Sequence, residues 1–191
     1  ELIARDEDNR TSASITEKSA QKPIGLVRLG SDGDEINIEL PRLDIDEATI
    51  ELDGRLDESI WASIPGYDNM LVMDPDTLEK TRFKTDARMF YTEEGLYVGV
   101  FMEQPSETLI ARLSSRDEFI NRDSIGITID TSGEGLYGYW FTLNLGGSVM
   151  DGKVAPERQF SREWDGPWES GTAVLDAVSY THLTLPTSYA V

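Results

Sequence analysis

Thirty-six Asp and Glu side chains, one histidine (His182) and no cysteine set the chemistry open to this chain. Without Cys there is no disulfide, thiolate zinc site or thiol nucleophile. A single His leaves little room for imidazole-ligated metals or a Ser–His system. The phosphate-cradling run G-x-x-x-x-G-K-[ST] does not occur. Carboxylates can still act in pairs, one as acid and one as base or nucleophile, which suffices for glycoside hydrolysis. With 36 of them, spacing singles out no pair. The stretch Asp117, Glu118, Asn121, Asp123 offers oxygen ligands for a structural Ca²⁺, although not at EF-hand spacing. A solvated acidic surface is the competing reading of that stretch.

Elements that could position such residues are short and extended. Residues 1–48 are polar and weakly patterned, with Thr11-Ser12-Ala13-Ser14 and the turn-prone Ser31-Asp32-Gly33-Asp34. Ile24 to Leu29 and Ile36 to Leu40 interrupt this arm as two edge strands. From Thr49 the pattern tightens: Ile50 and Leu52 precede the turn dipeptide Asp53-Gly54. Asp57 is then placed to cap a short helix through Trp61, stopped near Pro65. Ala87 to Tyr91 and Leu96 to Met102 read as strands joined by a tight turn, the second apolar on both faces and therefore central. In Ser124 to Asp130, Ile125, Ile127 and Ile129 alternate with Gly126 and Thr128. In Tyr137 to Leu145, Tyr139, Phe141, Leu143 and Leu145 share one face, and Trp140, Thr142 and Asn144 the other. Gly146-Gly147 turns the chain into Ser148 to Met150. Many short strands and almost no helix predict an all-β fold, an antiparallel, jelly-roll-like β-sandwich.

Composition supports a folded domain: 39% of residues are hydrophobic, with four Trp, seven Tyr and six Phe. The formal net charge of −19 argues against a duplex nucleic-acid partner and against an anionic membrane surface. It suits a solubility adaptation, such as one to a salty habitat. No apolar stretch near Glu1 is long enough for a signal peptide, and no run of about 18 apolar residues could span a membrane. An export signal upstream of Glu1 or a cytoplasmic chain would each fit.

Val178 to Thr187 resembles, residue by residue, the translation of a transposase-type sequencing adapter, with Ser188 to Ala190 as a barcode and Val191 before a stop. An ordinary Thr-rich strand is the competing reading. The resemblance implies that 178–191 is a non-native tail, to be left out of fold reasoning, and that the natural chain continues past Ala177. His182 would go with it, while the charge would stay −19, since the segment holds no Asp, Glu, Lys or Arg.

The run Ile50-Glu51-Leu52-Asp53-Gly54-Arg55-Leu56-Asp57-Glu58-Ser59-Ile60-Trp61 resembles the signature that opens family-9-like carbohydrate-binding domains. Thr85 to Met102, Arg116-Asp117 to Thr131, and Tyr139 to Gly152 follow in that family's order. Trp164-Asp165-Gly166-Pro167-Trp168-Glu169-Ser170 is similar to a segment of the subgroup found in bacterial envelope proteins. The resemblance spans Thr49 to Leu175 and makes 49–177 a sandwich truncated at its C-terminus, without the family's closing strands. Unpaired edges would then leave it poorly soluble or oligomeric.

The resemblance implies a non-catalytic module that binds polysaccharide or oligosaccharide and requires no cofactor. The module would belong to an exported, periplasmic or envelope-associated protein linked to carbohydrate catabolism and glycoside hydrolases. A further domain would follow, such as an outer-membrane barrel. Alternatives are a periplasmic interaction domain without sugar binding and a fragment of a glycoside hydrolase. A sugar presents an apolar C–H face and a hydroxyl rim, so its site wants an aromatic platform edged by polar groups. Trp61 is expected in the core. Trp140 and Asn144 share a strand face, and Trp164 and Trp168 lie in a loop with Arg162, Glu163 and Asp165; these four are the candidate carbohydrate-binding residues.

Overall fold

The computed structural model describes residues 26–28, 35–44, 46, 49–73, 75–175 and 178–186. Among them the chain forms thirteen strands and one short α-helix, besides single 3-10 turns at Ser106–Thr108 and Pro156–Arg158. In order these are β1 (Leu26–Arg28), β2 (Glu35–Asn37), α1 (Ser59–Ser63), β3 (Gly66–Tyr67), β4 (Leu71–Met73) and β5 (Asp76–Lys80). Then follow β6 (Thr85–Tyr91), β7 (Gly95–Glu103), β8 (Ser124–Ile129), β9 (Gly138–Asn144) and β10 (Val149–Ala155). The last three are β11 (Gln159–Ser161), β12 (Glu169–Leu175) and β13 (Val178–Pro186).

Two antiparallel sheets dominate, one ordered β11-β10-β9-β8 and the other β12-β13-β7-β6-β3. Their facing sides meet in a core of Ala87, Val98, Val100 and Phe141, joined by Ile125, Ile127, Ile129, Leu96 and Met102. The isoleucine alternation in β8 and the Phe141 face of β9 therefore point inward, as their period of two requires. The chain is a β-sandwich. β1 and β2 pair with each other as a separate two-stranded ribbon, as do β4 and β5.

The other face of the five-stranded sheet is covered by the opening motif. Trp61 and Phe90, at 2% and 0% exposure, cluster with Ile64 and Tyr97 beneath Leu56 and Ile60. Phe90 stacks on Tyr97 with centroids 4.7 Å apart. Trp61 is thus a core residue, as expected. The helix begins later than its sequence suggests: Glu58, not Asp57, is the N-cap residue, and no side chain caps it. Glu58 is engaged elsewhere, accepting from the Trp61 indole N–H at 3.0 Å and the Glu51 N–H at 2.8 Å. Gly54 turns at φ +87°, and a Cβ there would lie 2.2 Å from the Thr172 carbonyl carbon, so the turn rests directly on β12.

Residues 178–186 are paired on both sides. They form β13, paired with β12 on one side and with β7, over Gly95 to Glu103, on the other. Ladder pairing uses main-chain groups, and a run free of Gly and charge and rich in β-branched residues satisfies it. The adapter resemblance concerns where these residues come from; the pairing concerns where they sit.

Candidate binding groove

The outer face of the four-stranded sheet carries the side chains opposite to the core set. There Ser124 and Gly126 of β8, Thr142 of β9 and Met150 of β10 form the floor of an open groove of about 320 Å³. Phe119, Ile120, Asn121 and Arg122, from the loop before β8, make its wall. Antiparallel register sets Gly126 opposite Thr142, and Thr142 opposite Met150. At Gly126 the floor lacks a side chain, and a Cβ would approach Thr142 Oγ1 to 3.3 Å.

Phe119 is 72% exposed. The Arg122 and Arg162 guanidinium carbons lie 5.8 and 4.7 Å from its ring centroid. Arg122 donates through Nη1 to the carbonyls of Glu118 and Ile120 and sets Nη2 against Met150 Sδ. Among the described residues its Nε–H, and Asn144 Nδ2 on the same sheet face, are buried without a hydrogen-bond partner. An exposed aromatic ring beside the Ser124 and Thr142 hydroxyls suits a ligand with an apolar face and a hydroxyl-bearing rim. A second hollow, of about 70 Å³ between Ile38, Leu40, Pro65 and Ala87, is smaller and mostly apolar.

The four tryptophan and asparagine candidates separate. Trp140 and Asn144 share the groove's sheet face but are buried, at 8% and 0% exposure. Gly152, opposite Trp140 in the register, leaves room for the indole, whose N–H donates to the Ser161 carbonyl at 3.2 Å. Phe160 packs edge-on against it. Asn144 Oδ1 accepts from the Ser148 N–H, closing the β9–β10 turn. Trp164 and Trp168 lie on the opposite, inner side. Trp164 packs on Tyr139 and Phe141, with centroids 4.6 and 5.9 Å apart, and Trp168 meets Phe141 at 5.5 Å. Half-buried against the core, they close the sandwich edge.

The acids divide in the same way. Asp123 accepts from the Ile110 N–H and Gln104 Nε2, and Glu118 from the Ser115 N–H, so Asp117, Glu118, Asn121 and Asp123 do not converge. The acids that do converge, among the described residues, are Asp117, Asp151 and Asp165, with oxygens within 4.8 Å of one another. Arg116 stands among them: Nη2 is 2.5 Å from Asp151 Oδ1, and Nε is 3.0 Å from Asp165 Oδ1 and 3.7 Å from Asp117 Oδ2. Partial burial opposes its charge, but Asp151, Asp165 and Asp117 outweigh that and raise its pKa above the ordinary value. Asp151 Oδ2 accepts from the Gly166 N–H and the Trp168 indole N–H.

Sequence reasoning missed Asp151 and Phe119. The signal for Asp151 was present: the hairpin register puts it opposite Phe141, on the core side, where an acid needs partners. Gly133, Gly135 and Gly138 also have dinucleotide-loop spacing, but they join two antiparallel strands and open no helix. Asp130 holds that loop, its carboxylate accepting from the N–H groups of Ser132, Gly133 and Gly135.

No protein-family model matches the chain, and no curated protein matches it. Solved structures do. A carbohydrate-binding module of family 9 from Caldicellulosiruptor kristjanssonii, in complex with cellotriose, superposes with a TM-score of 0.55 at 12% identity. The match covers 78% of this chain and 67% of that one. A family-9 module from the same organism in complex with glucose gives 0.51 at 13% identity, over 77% and 69%. A candidate carbohydrate-binding protein from Bacteroides uniformis ATCC 8492 gives 0.54 at 12% identity, over 78% and 73%. This chain has the β-sandwich fold of the family-9 carbohydrate-binding modules.

Proposed function

We propose that this domain binds saccharide in the groove on the outer face of its four-stranded sheet and does no chemistry on it. The observation that carries the reading is the exposed Phe119 ring beside a floor that offers Gly126 and the Ser124 and Thr142 hydroxyls. A pyranose would set its C–H face on Phe119 and its hydroxyls toward Arg122, Asn121, Ser124 and Thr142. The groove lies at the small end of ligand clefts (about 300–1,000 Å³), which favours a short saccharide or one end of a longer chain.

Around that reading stand further proposals. The domain serves an exported, periplasmic or envelope-associated protein acting in carbohydrate catabolism, whose natural chain runs on into another domain. Residues 178–191 are non-native, and the natural continuation supplies its own strand at the place of β13.

Calorimetric titration with cello-oligosaccharides and retention on a polysaccharide gel test the binding. The wild type is expected to bind without releasing reducing sugar, and Phe119→Ala to weaken binding at least tenfold, about 1.4 kcal/mol. A wild type that binds no glycan across a broad array, or a Phe119→Ala variant with unchanged affinity, would overturn the assignment.

A further inference from the structure

We propose that Arg116, which does not line the groove, is the positioning residue that holds its wall in place; the inference rests on the saccharide-binding reading above. Residues 114–118 run along the part of the β10 edge that β11 leaves open, since β11 pairs only with Lys153 to Ala155. Ser148 Oγ accepts from the Ser114 N–H and donates to the Ser114 carbonyl. The Asp117 N–H donates to the Val149 carbonyl at 3.2 Å, and the Asp151 N–H to Asp117 Oδ1 at 3.2 Å.

At this edge the loop divides between the two faces of the sheet. Arg116 reaches the inner side, where it pairs with Asp151, which is 0% exposed. Phe119 and Arg122 emerge on the outer side and wall the groove. Between them Asp117 adopts φ +61°, a left-handed conformation that apart from glycine chiefly Asn and Asp adopt. Hydrogen bonds on both sides of that residue hold the turn. Asp151 cannot swing away from Arg116, because its other oxygen is taken by Gly166 and Trp168. Arg162 adds an outer clamp, donating to the Asp117 carbonyl at 3.2 Å while covering the Phe119 ring.

Loss of the Arg116 fork therefore frees the turn at Asp117 and lets the Phe119 wall drift. A double-mutant cycle on cellotriose affinity reads this directly, because an effect that passes through Phe119 vanishes when Phe119 is already altered. Arg116→Gln is expected to weaken cellotriose binding about tenfold in the wild-type background and less than twofold in Phe119→Leu. Asp165→Asn, which removes only the exposed arm of the fork, gives a smaller loss with the same non-additivity should Arg116→Gln fold poorly. Losses that multiply in the double variant, or unchanged affinity in folded Arg116→Gln, would overturn the inference while leaving saccharide binding intact. A wild type that binds no saccharide would instead remove the reading on which it rests.

Discussion

Asp151 carries a charge that the fold has sealed from water, and each of its contacts holds a different piece of chain. Arg116, Gly166 and Trp168 converge on its carboxylate, and Asp117 accepts from its N–H. Removing the Asp151 carboxylate strands the Gly166 N–H and the Trp168 indole N–H, and a buried group left without its partner costs typically about 1–3 kcal/mol. Asp151→Ala should accordingly lower the denaturation midpoint far more than Asp165→Asn, whose carboxylate is 72% exposed; urea melts of the two variants make the comparison. Trp168→Ala should also destabilise, near the low end of the about 3–5 kcal/mol range for buried aromatics, because the ring is only half-buried against Phe141. Asp130 provides the pH handle. The Ser132 hydroxyl and then the Gly135 N–H hold its pKa below the ordinary 3.8. A depressed carboxylate pKa contributes stability that is present above the unfolded value and lost as pH falls through the folded one. An NMR titration should find Asp130 below 3.8, and Ser132→Ala should move it upward; a wild-type value at or above 3.8 would contradict this.

Strands with a clean period of two were legible at sight. β8 with its three isoleucines and β9 with Tyr139, Phe141 and Leu143 could face only one way. The tight turn between β6 and β7 was equally plain. β12 was not, because Glu-Ser-Gly-Thr-Ala-Val-Leu has no alternation, and what makes it a strand is its place beside β13. β4 and β5 were hidden for another reason: their register shifts, and Leu78 sits at φ +53°. The candidate site was half legible. Alternation put Trp140 and Asn144 on the sheet face that carries the groove, but only the three-dimensional packing revealed that both are buried and that Phe119 stands exposed beside it. The β10–β11 hairpin adds a prediction of its own. Glu157 and Arg158 at its tip have φ +63° and +57°, the paired left-handed geometry that an Asn-Gly dipeptide satisfies without strain. Combining Glu157→Asn with Arg158→Gly should raise stability by about 1 kcal/mol, measured by thermal melting, with no change in saccharide affinity.

Across the whole molecule, charge and fold make separate statements. A net −19 repels itself, and screening should relieve it, so the melting temperature is expected to rise with added NaCl. A fall would count against the salt-adaptation reading. The sandwich itself supplies two sheet faces with different fates. One is closed by the Trp61 motif, and the other is left open as the groove. That asymmetry underlies the central claim, that saccharide binds on the open face and not at the half-buried Trp164–Trp168 edge. The most direct test is an amide-resolved NMR titration of the 191-residue chain with cellotriose. The account predicts saturating shifts at Phe119, Arg122, Gly126 and Thr142, with smaller ones at Gly166 and Trp168. No shifts at any cellotriose concentration, or shifts confined to residues 162–169, would contradict it.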